Sequence, residues 1–584
     1  MKADTLTISG IIQRDTLLRI PYFQRRYVWG EEDWKRFARD MESTLVSVQK
    51  YFLGAIILKE EETTTEDRGL GVGKRFLIID GQQRLTTLSI YMKVLHMFAN
   101  RNEDFARQYL QNTDVKNPVL THNCEDMPAF KEVMHLDSLR LLDSKNSIYA
   151  AYAYFVDYLK EARTRGVNLL QLLNTINASV TFVAITLDQK DDEQQIFDTI
   201  NSLGVPLTTG ELMKNFLYQA GDEERYNKCW RPVFDVDGVS DFWAQDRAKS
   251  RQSKGSKTSN IEIFFHAFVR IKMWDFKDRL NENQKNSFVK ISNVFSTCKA
   301  FVEDFGMNRQ ELADEIIAYA KLFRENFDMK NLNEPVPSYS GIKRIACLVN
   351  ATKNSSVISY LLYILKNVAD ERERNNIFGY IETYLIRRIL AGSSNNSYSE
   401  LFSESLINNR LLTLADLREY VESKGADAKL AMPSNEKVER NVTVRGKSID
   451  EEVARILYYM YESKIRTQGD SKIQGFNDYV AEMMMPKAGK NLVNWPRLSD
   501  PDSEEERAML IGTLGNYFLV DEGGKKEIKS VSTDAFANKV AVFVKWGSQI
   551  RCNQVLNNQS HWNADDINTR NLGLARAFCD LFRI

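Results

Sequence analysis

The chain has 584 residues and is 43% hydrophobic, too long for one core and suited to two or three domains. Its 78 basic and 79 acidic residues leave a formal net charge of -1, which excludes a protein that coats DNA by charge alone and confines any nucleic-acid contact to local patches or an enclosed pocket. Six cysteines without a CxxC pair and five histidines that share no ligand spacing with them exclude a zinc ribbon and give no support to a disulfide framework.

The first residues, MKADTLTISG, are polar and charged, so they predict neither a secretory signal nor a membrane anchor. No apolar run is long enough to span a bilayer, and the expected location is cytoplasmic, with no membrane partner. Residues 1–95 predict a mixed α/β region. A short apolar stretch at 17–20 leads into Pro21, a helical pattern covers about 31–48, and strand-like runs follow at 51–59 and 75–80. The segment between those runs, EEETTTEDRGLGVG (60–73), is acidic and then glycine-rich, as in a mobile loop. After Asp80 the period changes, and LTTLSIYMKVLHMF puts Leu85, Leu88, Met92 and Leu95 on one helical face. From there to about 430 the pattern is mostly amphipathic helix, broken by one strand-like run, SVTFVAITL (179–187). RAKSRQSKGSKTSN (247–260) holds five basic residues, four serines and no acid; it predicts a solvated loop, with a DNA-backbone contact as the alternative. Residues 431–447 are polar with little periodicity and predict a linker. The last 84 positions, 501–584, carry eleven acidic and ten basic residues, a poor electrostatic match for a free-standing DNA-binding domain.

Three clusters carry candidate chemistry. In FLIIDGQQRLTTLSIYMKVL (76–95) an apolar strand ends at Asp80, turns through Gly81-Gln82-Gln83-Arg84 and enters a helix at once. Free N–H groups and the dipole at a helix start favour a phosphate. Gly81 allows close backbone approach, and Arg84 offers a planar fork of donors. Asp80 could hold a metal-bound water or orient a nucleophile, and Gln82 and Gln83 offer neutral donors and acceptors. The plain alternative is a turn in which Asp80 caps the helix and the other side chains are solvated. In RIPYFQRRYVW (19–29), Pro21 fixes an extended entry, and Gln24, Arg25, Arg26 and Tyr27 gather donors and an aromatic suited to a phosphate or a base edge. The alternative is a strand edge with surface arginines and Trp29 in the core. In QQIFDTINSLGVPLTTGELMKNFLY (194–218), Asn201 and Gly204 sit between helical stretches, Thr208 or Thr209 caps the next helix, Glu211 falls in its first turn, and Lys214 and Asn215 follow. A well-capped helix–turn–helix explains this cluster equally.

Together these clusters resemble the DUF262 family, the GmrS half of GmrSD-type modification-dependent restriction systems. That family shows IP-x-FQR-x-Y-x-W, DGQQRLTTL and F-x-x-x-N-x-x-G-x-x-L-x-x-x-(D/E)-L-x-K-N segments in order, here at 20–29, 80–88 and 197–215. Glu211 stands where many relatives have Asp. The resemblance implies a ParB/sulfiredoxin-like fold for residues 1–220, with binding and hydrolysis of a nucleoside triphosphate, with or without Mg²⁺, at Asp80, Gln82, Gln83 and Arg84. It also implies nucleotide or DNA binding by Gln24, Arg25, Arg26, Tyr27, Gly81, Asn201, Lys214 and Asn215. IETYLIRRILAGSSNNSYSELF (381–402) resembles the family's helical R-R-x-x-x-G segment, in a mostly helical middle region at 221–430. Arg387 and Arg388 are there read as buried ion-pair partners, with DNA contact as the alternative.

Residues 448–584 resemble DUF1524, the GmrD half, an HNH-type nuclease. Relatives carry E-H-I-x-P, then a W, G-N-L-T-L-L and a further Asn. Here Glu482-Met483-Met484-Met485-Pro486, Trp495 and Leu514-Gly515-Asn516-Tyr517 correspond, so Met483 stands at the catalytic histidine position, and the position of the later asparagine falls in GGKKE (523–527), which contains no asparagine. Methionine accepts no proton and is a poor ligand for a hard cation. An α+β protein is therefore expected, with a degenerate HNH-like end in Glu482, Met483 and Asn516, no assigned metal, and a role in anti-phage defence. It would hydrolyse nucleotide, sense modified phage DNA and act with a partner defence protein, as a homo-oligomer or not. The competing expectations are a complete modification-dependent endonuclease and a non-enzymatic scaffold.

Overall fold

Short β-rich runs in the first 187 residues assemble into one six-stranded sheet. The computed structural model describes the chain except residues 1, 23, 48, 70, 112–116, 124, 144, 188–206, 219–220, 237, 249–256, 426–427, 444–447, 487–508, 531–535 and 548. It divides into two units, Met1–Lys228 and Cys229–Ile584. The fold is mixed α+β and predominantly helical, with the large sheet in the first unit.

In that unit β1 (Lys2–Thr7), β2 (Thr16–Arg19), β3 (Tyr51–Glu61), β4 (Lys74–Asp80), β5 (Leu120–Thr121) and β6 (Val180–Leu187) lie in the order β1-β6-β3-β4-β2-β5. The β1–β6 and β3–β4 pairs are antiparallel, and β6–β3, β4–β2 and β2–β5 are parallel. β3 and β4 are central because Ile56, Ile57, Leu58 and Leu77, Ile78, Ile79 are all buried, the continuous apolar pattern of strands covered on both faces. The strands expected at 51–59, 75–80 and 179–187 are all present. The 60–73 segment differs from a plain loop: it contains a short helix, Thr65–Gly69, and Asp67 ties it to Arg75 at 2.9 Å.

The helix Glu31–Ser43 begins with Glu31, Glu32 and Asp33, favoured beside a helix N-terminus. It buries Trp34, Phe37, Ala38 and Met41, one helical stripe. The helix Gln82–Phe98 corrects the expectation of one apolar face. Nearly every residue from Leu85 to Met97 is buried, polar ones included, because the helices Ser147–Thr164, Asn102–Tyr109, Met127–Met134 and Leu169–Ser179 all pack against it. Its Tyr91 meets Phe37 and Phe155 edge-on at 5.6 and 5.2 Å between ring centroids. The N-terminus of this central helix is therefore held by a large rigid core.

The second unit is mostly helical. Its helices Ile342–Thr352, Glu371–Leu390 and Glu451–Ile465 are joined by a buried pair, Arg344 Nη2 to Glu382 Oε1 at 2.6 Å. The remaining Arg344 donors reach the Pro337 carbonyl and Ser463 Oγ, both at 2.7 Å. Such satisfaction is what lets a charge pair survive burial. Arg387 and Arg388 are buried as expected, but their partners are carbonyls rather than carboxylates. Arg387 donates to Pro433 O at 2.9 Å and Phe582 O at 3.0 Å, and Arg388 to Lys429 O at 2.6 Å and Ser394 O at 2.8 Å. The polar 431–447 stretch contains a helix, Asn435–Thr443, with Val438 and Val442 buried. Arg247 also departs from the solvated loop expected at 247–260. It lies in β7 (Asp246–Ala248), paired with β8 (Lys257–Ser259), and bonds to Asn260 and to Asn350 Oδ1, the latter at 2.7 Å. Residues 249–256 of that run lie outside the described residues.

Candidate functional site

The Asp80–Arg84 turn is set by backbone geometry. Gly81 adopts a left-handed conformation, φ 104°, and a Cβ there would meet Ile56 Cγ2 at 2.6 Å. Only glycine fits both demands. Asp80 does not cap the helix. Gly81 is the N-cap, no side chain caps the end, and the Asp80 carboxylate accepts instead from Arg84 Nη2 at 2.8 Å. Arg84 in turn lies over Gly54, φ 126°, at a register shift in β3; a Cβ at Gly54 would come within 3.0 Å of Arg84 Nη1. Gly54 is a site residue that the motif does not mark.

The two glutamines hold the upstream segment. Gln82 Nε2 donates to Arg25 O at 2.9 Å, while Gln83 donates to Arg26 O at 3.1 Å and accepts from Val28 N at 2.9 Å. Gln24 fastens the same segment to β4, donating to Ile78 O at 2.9 Å and Ile79 O at 3.1 Å. The clusters at 19–29 and 80–88 thus form one structure. Two buried polar atoms in it have no hydrogen-bond partner, Gln82 Oε1 and Arg84 Nε. Gln82 is 9% exposed. Native interiors rarely leave such atoms unpaired.

Tyr27 was expected to face a ligand, and the structure places it in the core, 3% exposed. Trp34 Nε1 donates to the Tyr27 hydroxyl at 2.8 Å, that hydroxyl meets Thr87 Oγ1 at 2.6 Å, and Thr87 donates to Gln83 O at 2.8 Å. Burial raises the phenol pKa. Arg26 pairs with Glu125, and Arg25 is half-buried. Trp29 packs against the core. Behind this segment lies a polar group that sequence reasoning missed, residues 121–126. Asn123 Oδ1 accepts from Asp126 N at 3.0 Å, and Asp126 Oδ2 accepts from Tyr27 N at 2.7 Å. Burial pushes the Asp126 carboxyl up to about 6, opposed by the Tyr27 N–H and Arg26. It also pushes the His122 imidazole down to about 3. His122 Nε2 lies 3.1 Å from Thr86 Oγ1, which itself donates to Gln82 O at 2.8 Å; Thr86 must then accept, so Nε2 carries the ring proton. The signal in the sequence was the dense polar run THNCED.

Of the third cluster, Asn201 lies outside the described residues. Thr208, rather than Thr209, caps the helix Thr209–Leu217, and Glu211 completes a capping box with it. Lys214 and Asn215 are both 5% exposed. Lys214 Nζ stands 6.0 Å from the Tyr226 ring centroid, and Tyr226 meets Tyr22 at 5.1 Å. Tyr226, beyond the end of this helix, therefore stands between Lys214 and Tyr22 of the 19–29 segment.

In the second unit β9 (Tyr479–Met483) pairs antiparallel with β10 (Tyr517–Asp521), followed by the helix Glu522–Ser530. Met483 faces Tyr517 across the ladder and packs against the local apolar cluster. Asn516 is fully buried. Its oxygen accepts from Met485 N at 2.8 Å and Trp562 Nε1 at 3.2 Å, and its nitrogen donates to Met485 O and Ile511 O, both at 2.9 Å. Glu482 lies near Lys539, whose burial pushes its ammonium down to about 8 against the opposing pull of Glu482. His561 is half exposed and stands 3.7 Å from Asp566. Among the described residues, no three His, Cys, Asp or Glu side chains are placed to hold a metal ion, and no helix is long and apolar enough to cross a membrane.

No curated protein matches the chain. Residues 8–218 match the family model described as the GmrSD restriction endonuclease N-terminal domain. That span covers β2 to β6, the Asp80–Arg84 turn and all three sequence clusters, and it makes the first unit similar to a GmrSD-type restriction N-terminal domain.

Proposed function

We propose that the first unit binds and hydrolyses a nucleoside triphosphate at the Asp80–Arg84 turn, and that this chemistry serves the sensing of DNA in anti-phage defence. The observation that carries the proposal is the pair of unpaired buried atoms, Gln82 Oε1 and Arg84 Nε, at an uncapped helix N-terminus. Arg84 Nε is a cationic donor suited to a phosphate oxygen, and the helix start adds N–H groups of the same polarity. Gln82 Oε1 is an acceptor, and beside a phosphate its natural partner is a hydrogen of the attacking water. Asp80 orients the Arg84 guanidinium. Mg²⁺, where it accompanies the nucleotide, would neutralise phosphate charge, with Asp80 the nearest carboxylate of the turn. The sheet at β1–β6 and the helical layer suit a ParB/sulfiredoxin-like assignment for this unit.

We also assign the β9–β10–helix arrangement to a degenerate HNH-like unit. Met483 is packed rather than presented, and Asn516 has no amide capacity left for a metal or a phosphate. Cutting of DNA then falls to a partner protein. The test is hydrolysis of a panel of nucleoside triphosphates by the wild type, Arg84→Ala and Gln82→Ala, with and without phage DNA. Activity lost in both variants supports the proposal, and stimulation by DNA supports the sensing role. A wild type that neither binds nor hydrolyses any triphosphate overturns it, and metal-dependent DNA cleavage by this chain alone overturns the degenerate assignment.

A further inference from the structure

The second unit holds a cavity of about 1080 Å³, just above the usual range of small-ligand pockets, about 300–1,000 Å³. Apart from Asp246, His266 and two cations its polar lining is neutral: Asn354, Ser355, Ser356, Ser394, Asn395 and Asn396 contribute amides and hydroxyls. Ile263, Val349 and Ile358 supply an apolar wall. Tyr398 also lines the cavity. It is 1% exposed, with its hydroxyl buried beside the Arg388 guanidinium. Burial raises that phenol's pKa, and the neighbouring Arg388 guanidinium holds the rise back.

The charged lining is two cations, Arg247 and Lys353, and one carboxylate, Asp246, with Asp328 also acting on Arg247. Arg247 bonds only to amide and carbonyl oxygens, those of Asn260, Asn350 and Phe327, and has no carboxylate within ion-pair distance among the described residues. Burial pushes its pKa down to about 10, so it keeps its charge at neutral pH. Each of its three nitrogens makes one bond, and both terminal nitrogens keep a second N–H. Lys353 ends the helix Ile342–Thr352 in a left-handed conformation, φ 58°, where glycine is the ordinary occupant. A lysine held there puts charge at the cavity at some conformational cost.

We propose that this cavity is a nucleotide-binding pocket, separate from the Asp80–Arg84 turn and not dependent on its activity. The base lies against the apolar wall with its polar edge at the amides, the sugar meets the serine hydroxyls, and the phosphate meets Arg247 and Lys353. A free nucleotide and a nucleotide turned out of a DNA strand share this chemistry; extrusion of a base into a pocket of this kind is a known route to inspecting it.

The experiment uses the full chain and two probes, deoxyadenosine monophosphate and a DNA duplex containing one 2-aminopurine, whose fluorescence rises when it leaves the stack. Asn396→Trp fills the exposed mouth of the cavity without touching the core, and Arg247→Met removes the cation. Wild-type binding of either probe, weakened roughly tenfold or more by both variants as expected for a lost charged contact or a filled pocket, supports the pocket. Binding of the monophosphate alone identifies a free nucleotide, and a fluorescence rise with DNA identifies an extruded base. Should Arg247→Met fail to fold, Asn396→Trp and Lys353→Met decide. Absence of binding to both probes, or binding that Asn396→Trp leaves intact, overturns the proposal. Triphosphate hydrolysis by Asn396→Trp stays at the wild-type rate in either case, which separates failure of this pocket from failure of the site in the first unit.

Discussion

The Asp80–Arg84 turn and the Leu514–Asn516 turn are built from similar parts, a strand beside a glycine and buried amides, yet their hydrogen-bond accounts differ. At the first, Gln82 Oε1 and Arg84 Nε are left unpaired. At the second, the Asn516 amide makes four bonds, Gly515 N is held by Asn571 Oδ1 at 2.6 Å, and Arg570 donates to the carbonyls of Gly515 and Tyr517 at 2.8 and 2.6 Å. A buried amide with every bond made is part of the scaffold. At the Asp80–Arg84 turn the two unpaired atoms leave hydrogen-bonding capacity that a bound ligand can take up. The contrast separates two motifs that look equally functional when read as strings.

The largest effect should come from the satisfied turn. Asn516→Leu strands four backbone and indole groups and is expected to cost at least about 3 kcal/mol, read as a lowered urea midpoint of the full chain. A loss under about 1 kcal/mol would break the comparison. Next, Gly81→Ala forces a Cβ against Ile56 and a left-handed alanine, at about 1–3 kcal/mol; circular dichroism melts should show this alongside lost triphosphate binding. At the unsatisfied turn, Arg84→Ala should instead spare stability and weaken triphosphate affinity roughly ten- to a hundredfold, measured by calorimetric titration. A fall in melting temperature as large as that of Gly81→Ala would mean that Arg84 is scaffold too.

The smallest effect concerns pH. The folded Asp126 carboxyl titrates near 6 against an ordinary 3.8, so the folded state takes up its proton first, and the contribution to stability rises as pH falls from about 6 towards 4. His122, near 3 in the fold against 6.5, acts the other way, since the unfolded ring is protonated first and stability falls below about pH 6.5. In the wild type the two oppose each other. Asp126→Asn leaves His122 alone, so acidification from about pH 7 to about pH 5 should cost the variant on the order of 1 kcal/mol more than the wild type, by urea denaturation. An identical pH slope would show that Asp126 is not perturbed.

Much of the first unit was legible. β3, β4 and β6 follow from apolar runs, and the change of period after Asp80 marks the helix start. The depth of the helix Gln82–Phe98 was not, because burial on every side comes from four other helices that no local pattern reveals. Gln82 and Gln83 read as surface chemistry, and their clasp on Arg25 and Arg26 spans 57 residues of sequence. Gly54 was silent for the same reason, since its need for glycine arises from Arg84 lying over it. Arg387 and Arg388 were legible as buried but not as holders of carbonyls, a distinction set by where distant backbone happens to pass.

Arg387 has one more consequence, for the order in which the chain takes shape during synthesis. Its guanidinium closes on Phe582, 195 residues further on, while the β1–β6 pairing is complete once Thr186 has emerged. Domains generally fold as units, the earlier one first. A ribosome making this protein therefore has the strands of the first unit's sheet free to pair long before Phe582 emerges, and Arg387 must wait for that residue before its guanidinium is satisfied.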